Sequence, residues 1–359
     1  MKLYLLGGFL GSGKSTAILE ACVQYANDGI KVAVITNDQG EKLVDSKIFE
    51  NASIPFREVL GSCFCCNYDQ LTGSISSLAA MNDYEIIFAE SVGSCTDLVA
   101  TIAKPLNIED PDIQICISVF ADASLLYSVI AGNSCFLDET VQYIFKKQLE
   151  EADILVINKS DLVNGEQLTL IKKIVSADYS GKVILYQNSL DQKSIRNWLE
   201  VLQEFSFKGK RKALQLDYDV YGEGESKLAW MDQQFQITTT DGSAFASAFA
   251  LVERIYDKLK IAGYPIGHLK FFVSDGSKST KISYTTSDHP AKHNYTDFTD
   301  ADSITLLMNA RIQTTAERLE DLVVNAVQEF KQERLVEISV DYFTAFRPGY
   351  PRPTYRLVD

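Results

Sequence analysis

The rhythm of hydrophobic and polar positions changes near residue 205. Before it, short apolar runs rich in β-branched residues alternate with longer stretches of helical period. The runs cover residues 2–6, 31–36, 84–89, 113–120, 153–157 and 182–186. Continuous apolarity over so few residues marks strands buried on both faces. Helical stretches lie between them, among them residues 15–28, 71–81, 124–131 and 138–151. This alternation predicts an α/β fold, a doubly wound and mostly parallel sheet with helices on both faces. Loops at the carboxyl ends of such strands gather along one edge, where ligands bind.

Beyond residue 205 the texture differs. A basic run at 208–212 and an acidic, glycine-bearing stretch at 217–226 read as solvated connection. Strands are then expected at 234–240, 269–274, 281–286, 304–310 and 335–340, with amphipathic helices at 244–262 and 316–329. Two helices on one antiparallel sheet predict a second, smaller α+β domain resembling a ferredoxin-like fold. Residues 342–357, rich in Pro, Arg and aromatics, are expected to lie extended on one of the domains. The predicted partition is 1–205, a linker at 206–232, and 233–359. The second domain carries no phosphate loop and no cysteine, so recognition of a partner is its expected task. Its helices should cover one sheet face and leave the other open.

Three motifs carry chemistry. The first strand runs into Gly8-Phe9-Leu10-Gly11-Ser12-Gly13-Lys14-Ser15-Thr16, which matches G-x-x-x-x-G-K-[ST]. Glycines at Gly8, Gly11 and Gly13 let the backbone curl so that N–H groups face phosphate oxygens. Lys14 neutralises the β- and γ-phosphates, Ser15 offers a hydroxyl to Mg²⁺, and the helix behind presents its positive end. The strand at 153–157 ends in Asn158-Lys159-Ser160-Asp161, an N-K-x-D. A carboxylate at Asp161 accepts from guanine N1–H and the 2-amino group, which adenine lacks, so the expected nucleotide is GTP. Lys159 would pack over the base and Asn158 brace the loop. Finally, Gly61-Ser62-Cys63-Phe64-Cys65-Cys66 contains C-x-C-C. Closely spaced thiolates at Cys63, Cys65 and Cys66 suit Zn²⁺, Co²⁺ or Cu(I).

In this order, and with Glu90-Ser91-Val92-Gly93 between them, these motifs resemble the CobW family of metal-handling GTPases, relatives of the nickel chaperones HypB and UreG. The resemblance covers residues 2–205. It implies that Glu90 serves in place of the usual Walker B aspartate. It also implies a switch segment at Asn37-Asp38-Gln39-Gly40-Glu41, where the family has N-E-x-G-E. Asp38 is a shorter carboxylate that still reaches Mg²⁺ or its water shell. Lys14, Asp38 and Glu90 are then the expected catalytic residues, with Ser15, Asp38 and Glu90 around Mg²⁺. Ser62 stands directly before Cys63, where the family has glycine, so the loop enters the site differently.

Charge and composition narrow the picture. A net charge of −14 argues against nucleic acid or an anionic membrane as partner. A signal peptide is not expected, because cleavage near the opening apolar residues would destroy the phosphate loop, and the expected location is the cytoplasm. With three histidines in the chain, metal storage is not expected. His289 and His293 flank Pro290, which argues against a helix that would align them. Cys22, Cys116 and Cys135 are expected in the core. Cys95 is either a fourth thiolate or a packed helix-start residue, and packing is the expectation.

The leading function is a GTP-hydrolysing metallochaperone of slow intrinsic turnover, carrying zinc or cobalt to a client metalloprotein or corrinoid protein. A homodimer is one admissible assembly. The alternative is a nucleotide-gated assembly or reactivation factor for a corrinoid (cobalamin-dependent) protein, with structural cysteines. An ATP-dependent kinase is disfavoured by N-K-x-D.

Overall fold

The computed structural model describes residues 1–132, 138–207, 209–285, 298 and 300–358. Its contacts divide into two compact units. One comprises Met1–Gln39, Phe49–Gly224 and Tyr350–Asp359; the other comprises Gly40–Ile48 and Glu225–Gly349. Both are discontinuous in sequence, unlike the linear partition expected above. His289, His293 and Cys135 lie outside the described residues.

The first unit is built on β1 (Lys2–Gly7), β2 (Val32–Asn37), β3 (Phe56–Val59), β4 (Ile86–Glu90), β5 (Gln114–Asp122), β6 (Ile154–Asn158) and β7 (Val183–Tyr186). Among the described residues these form one parallel sheet in the order β3-β2-β4-β1-β5-β6-β7. The helices are α1 (Lys14–Asn27), α2 (Val44–Asn51), α3 (Tyr68–Met81), α4 (Lys104–Glu109, entered through a π-helical turn at Val99–Ala103), α5 (Ala123–Ile130), α6 (Glu139–Glu151), α7 (Gly165–Asp178), α8 (Gln192–Glu204) and α9 (Tyr218–Ser226). The chain crosses between the units inside α2 and again inside α9. The doubly wound α/β expectation holds. The core shows why: β1, β2, β4 and β6 are buried almost throughout, so their apolar runs are unbroken. On one face Trp198 of α8 stacks on Phe88, meets Phe120 edge-on, and donates its indole N–H to Ser118 Oγ at 3.1 Å.

Two stretches expected as solvated connection are structured. Arg211 forms a nearly buried ion pair with Asp153 at 2.8 Å and donates to the Ile115 carbonyl. The acidic stretch becomes α9, which buries Tyr221 and Glu225. Strand β3 was not expected, because F-R-E-V is short, half polar and only partly buried.

The second unit contains β8 (Leu228–Thr238), α10 (Ala244–Ile261), β9 (Ile266–Ser274), β10 (Ser279–Tyr284), β11 (Ser303–Gln313), α11 (Ala316–Glu333) and β12 (Glu337–Phe346). The antiparallel order β10-β9-β11-β8-β12 is the ferredoxin-like arrangement with one added edge strand, β10. Helices α10 and α11 cover one face around Phe271, Met308, Val252 and Val323.

The other face is not simply open, as the sequence implied. Gly40–Ile48 lies on it. Val44 packs with Phe272 and Leu307 and donates its N–H to Asn309 Oδ1 at 2.7 Å; Asn309 returns a bond to the Lys42 carbonyl at 2.8 Å. Burial works against the Asp45 charge, yet Lys270 and Lys281 hold its carboxyl well below the usual carboxylate range. Beneath, Arg311 and Asp232 form a fully buried ion pair at 2.6 Å, with the guanidinium 4.0 Å from the Trp230 ring centroid. Among the described residues no helix is long and apolar enough to cross a membrane.

Candidate nucleotide and metal site

The expected site residues lie at the carboxyl edge of the parallel sheet. The loop after β1 holds Gly8, Gly11 and Gly13 at positive φ of 123°, 73° and 91°. Side chains are excluded there by space as well as conformation. A Cβ on Gly8 would fall 2.1 Å from the Phe120 carbonyl oxygen, and one on Gly13 2.3 Å from Asn158 Nδ2. Lys14 is buried and folds over its own loop, donating to the Gly8 carbonyl at 2.7 Å. The Ser12 hydroxyl is buried without a hydrogen-bond partner, a polar atom left for a ligand in the concavity. Thr16 is half-buried in the first turn of α1.

Glu90 closes β4, and its Oε1 accepts from Ser15 Oγ at 3.0 Å. Two adjacent ligands of an octahedral Mg²⁺, each at ~2.1 Å, stand ~3.0 Å apart. The spacing of this pair matches that of two adjacent Mg²⁺ ligands. Asp38 follows β2 directly, half-buried, its N–H bonded to the Val59 carbonyl at 3.2 Å.

The N-K-x-D loop follows β6. Asn158 donates to the Ser12 carbonyl at 2.8 Å and accepts from the Ser189 N–H and hydroxyl. It thereby ties this loop both to the phosphate loop and to the segment after β7. Lys159 adopts φ 57° and pairs with Asp122 at 3.0 Å. Asp161 is exposed at the loop tip.

The cysteines sit between β3 and α3. A turn closed by Cys66 N–H and Asn67 N–H on the Cys63 carbonyl packs the three thiols together. Their sulfurs all lie within 4.8 Å of one another. Cys63 and Cys65 are 2.9 Å apart, and Cys65 and Cys66 3.7 Å. The ~2.3 Å bonds of a tetrahedral zinc thiolate place sulfurs ~3.8 Å apart. Cys65 and Cys66 already fit, and Cys63 must open away by a small movement. Hydrogen bonds from Cys65, Cys66 and Cys95 hold the Cys63 thiol well below its ordinary value despite burial. The same network pushes Cys65 up, and Cys66 up to about 11.

Several residues to which the sequence assigned no role at the cysteines hold this loop. Asn37, the last residue of β2, donates to the Val59 and Ser62 carbonyls at 3.0 and 2.7 Å and accepts the Phe64 N–H at 2.8 Å. The chain end crosses the same loop: Thr354 N–H bonds to the Cys65 carbonyl at 2.8 Å, and Arg352 N–H approaches Cys66 Sγ at 3.3 Å. Tyr355 meets Tyr68 edge-on, and Arg356 pairs with buried Asp97. The Pro, Arg and aromatic composition of the tail marked it as extended, but no local signal marked its target.

The CobW/HypB/UreG nucleotide-binding domain family matches residues 2–185, just over half of the chain. The chain belongs to this family. Among curated relatives of this CobW/HypB/UreG protein, the zinc chaperone YeiR of Escherichia coli (strain K12) is 28% identical over 165 residues, 45% of this chain and 47% of that protein. The zinc-regulated GTPase metalloprotein activator 1 of Dictyostelium discoideum is 26% identical over 210 residues, 48% of this chain and 42% of that protein. The zinc chaperone CobW of Sinorhizobium sp is 22% identical over 302 residues, 77% of this chain and 82% of that protein. The chain thus spans about half the length of the first two relatives and most of the third.

Proposed function

We propose that this CobW/HypB/UreG protein is a GTP-hydrolysing metallochaperone, in which nucleotide state sets the affinity of the cysteine cluster for a transition metal. The observation that carries the reading is Asn37. Its side chain makes two hydrogen bonds to the cysteine loop, at Ser62 and Phe64 on either side of Cys63, and one to Val59 at the end of β3; its neighbour is Asp38, so a movement of the switch segment would reach the residues flanking Cys63. Zinc is the first cargo to test, on the strength of the relatives named above, with cobalt second.

In this reading Gly8, Gly11, Ser12, Gly13, Lys14, Ser15 and Thr16 cradle and neutralise the phosphates. Asp161 selects guanine, while Lys159 and Asn158 shape its loop. Ser15, Asp38 and Glu90 hold Mg²⁺, which supplies charge neutralisation across the phosphate oxygens. Cys63, Cys65 and Cys66 bind the cargo. The location is the cytoplasm and the partner a client metalloprotein. A corrinoid-protein assembly factor with structural cysteines would bind metal without regard to nucleotide. Zinc titration of the GTP- and GDP-bound forms separates the two: unequal affinities support the chaperone, equal ones the assembly factor.

A further inference from the structure

Cys95 lies in the loop that leaves β4, five residues after Glu90. It is almost fully buried. The tail that bonds the Cys65 carbonyl through Thr354 N–H reaches Asp97, two residues after Cys95, through Arg356, and the Cys95 thiol neighbours those of Cys63 and Cys65, outside the 4.8 Å group these form with Cys66. It therefore borders the cysteine cluster from a different loop. Cys22 and Cys116, by contrast, pack in the apolar core with Phe88 and Phe120.

The loop that carries Cys95 is held on several sides. Cys95 N–H closes a turn on the Val92 carbonyl at 2.9 Å. Gln148 of α6, itself buried, donates to both the Gly93 and the Cys95 carbonyls, at 3.0 and 2.8 Å. Thr96 and the Leu98 N–H bond to Glu151 one turn further along α6. Gly93 rests against the phosphate loop so closely that a Cβ would fall 2.6 Å from Leu10 Cδ2 and 3.0 Å from the Leu10 nitrogen. A thiol held this firmly beside two others, with backbone fixed on both sides, is placed as a ligand is placed.

We propose that Cys95 is the fourth ligand of a tetrahedral four-thiolate site with Cys63, Cys65 and Cys66, which takes a borderline divalent metal such as zinc. The inference rests on the cysteine cluster being a metal site. It adds that the metal is gripped from two loops. One follows the strand that pairs with β2; the other joins Glu90, against Ser15, to the metal across five residues.

Zinc-edge X-ray absorption on the unsubstituted protein, loaded with one equivalent of zinc, tests this without any variant. Four sulfurs at ~2.3 Å are expected. Three sulfurs and one nitrogen or oxygen overturn the proposal and leave the three-cysteine metal site standing. No sulfur coordination overturns both. The Cys95→Ser variant, loaded with Co²⁺, provides the second readout. Its thiolate-to-cobalt charge-transfer absorption should fall by about a quarter, one thiolate of four, with unchanged apo-protein circular dichroism. A spectrum identical to that of the unsubstituted protein, under conditions where Cys65→Ser alters it, contradicts the assignment.

Discussion

In the proposed reading, Asp161 is the residue on which nucleotide identity turns. It is exposed at the tip of a loop whose shape is fixed by Asn158, by the left-handed Lys159, and by Ser160 N–H on the Gln187 carbonyl at 3.0 Å. A carboxylate there accepts two guanine donors. Asp161→Asn replaces an acceptor pair by an acceptor and a donor, which should cost about 3 kcal/mol of GTP binding, roughly a hundredfold. Xanthosine triphosphate, whose 2-oxo group needs a donor, should bind the variant better than GTP. Calorimetry with GTP, ATP and xanthosine triphosphate checks this; equal affinity of the unsubstituted protein for ATP and GTP would end the guanine assignment.

Glu151 makes a second prediction at the same scale. Burial, and after it the charge of Asp97, push its carboxyl up to about 8. Thr96, the Leu98 N–H and the ammonium of Lys182 also face it. The folded-state value lies above the unfolded one, so its stabilising contribution is complete below about pH 4.5 and is lost as pH rises through about 8. Glu151→Gln keeps a neutral acceptor in place. Between about pH 5 and 8 the variant should hold its unfolding temperature while the parent loses stability relative to it. Parallel profiles would show that Glu151 titrates normally.

At the scale of elements, the parallel strands were legible because each is buried on both faces and reads as an unbroken apolar run. The phosphate, guanine and cysteine motifs were legible because each is local in sequence. What ties them together was not. Asn37 reaches the cysteine loop because β2 and β3 pair with Asn37 opposite Val59, and β3 itself has no pattern that separates it from a loop. Helix α9 was hidden for a similar reason. Its two glycines and three charges argue against a helix, but Gly224 packs where a Cβ would fall 2.6 Å from the Thr140 carbonyl, so tertiary contact decides. The Asn37 bridge is testable. Asn37→Ala should leave zinc stoichiometry and GTP binding intact and reduce zinc stimulation of GTP turnover to near the basal rate. Full stimulation in that variant would place the coupling elsewhere.

Across the whole chain, what sequence order concealed is that both compact units are discontinuous. Residues Gly40–Ile48, which follow the switch residue Asp38, belong with the antiparallel sheet, and the chain end belongs with the parallel one. A truncation near Phe205 would therefore remove α9 and the tail segment on Cys65 and Cys66 along with the second unit. A faithful test of the first unit must retain Tyr350–Asp359. The central claim, that nucleotide and metal sites are coupled, needs no truncation. It is tested by competition titration of zinc against a chromogenic chelator, with the unsubstituted protein held in Mg²⁺ and either a non-hydrolysable GTP analogue or GDP. The account predicts that the two dissociation constants differ by about tenfold or more, with zinc shifting analogue affinity relative to GDP by the same factor. Equal zinc affinity in the two states would contradict it.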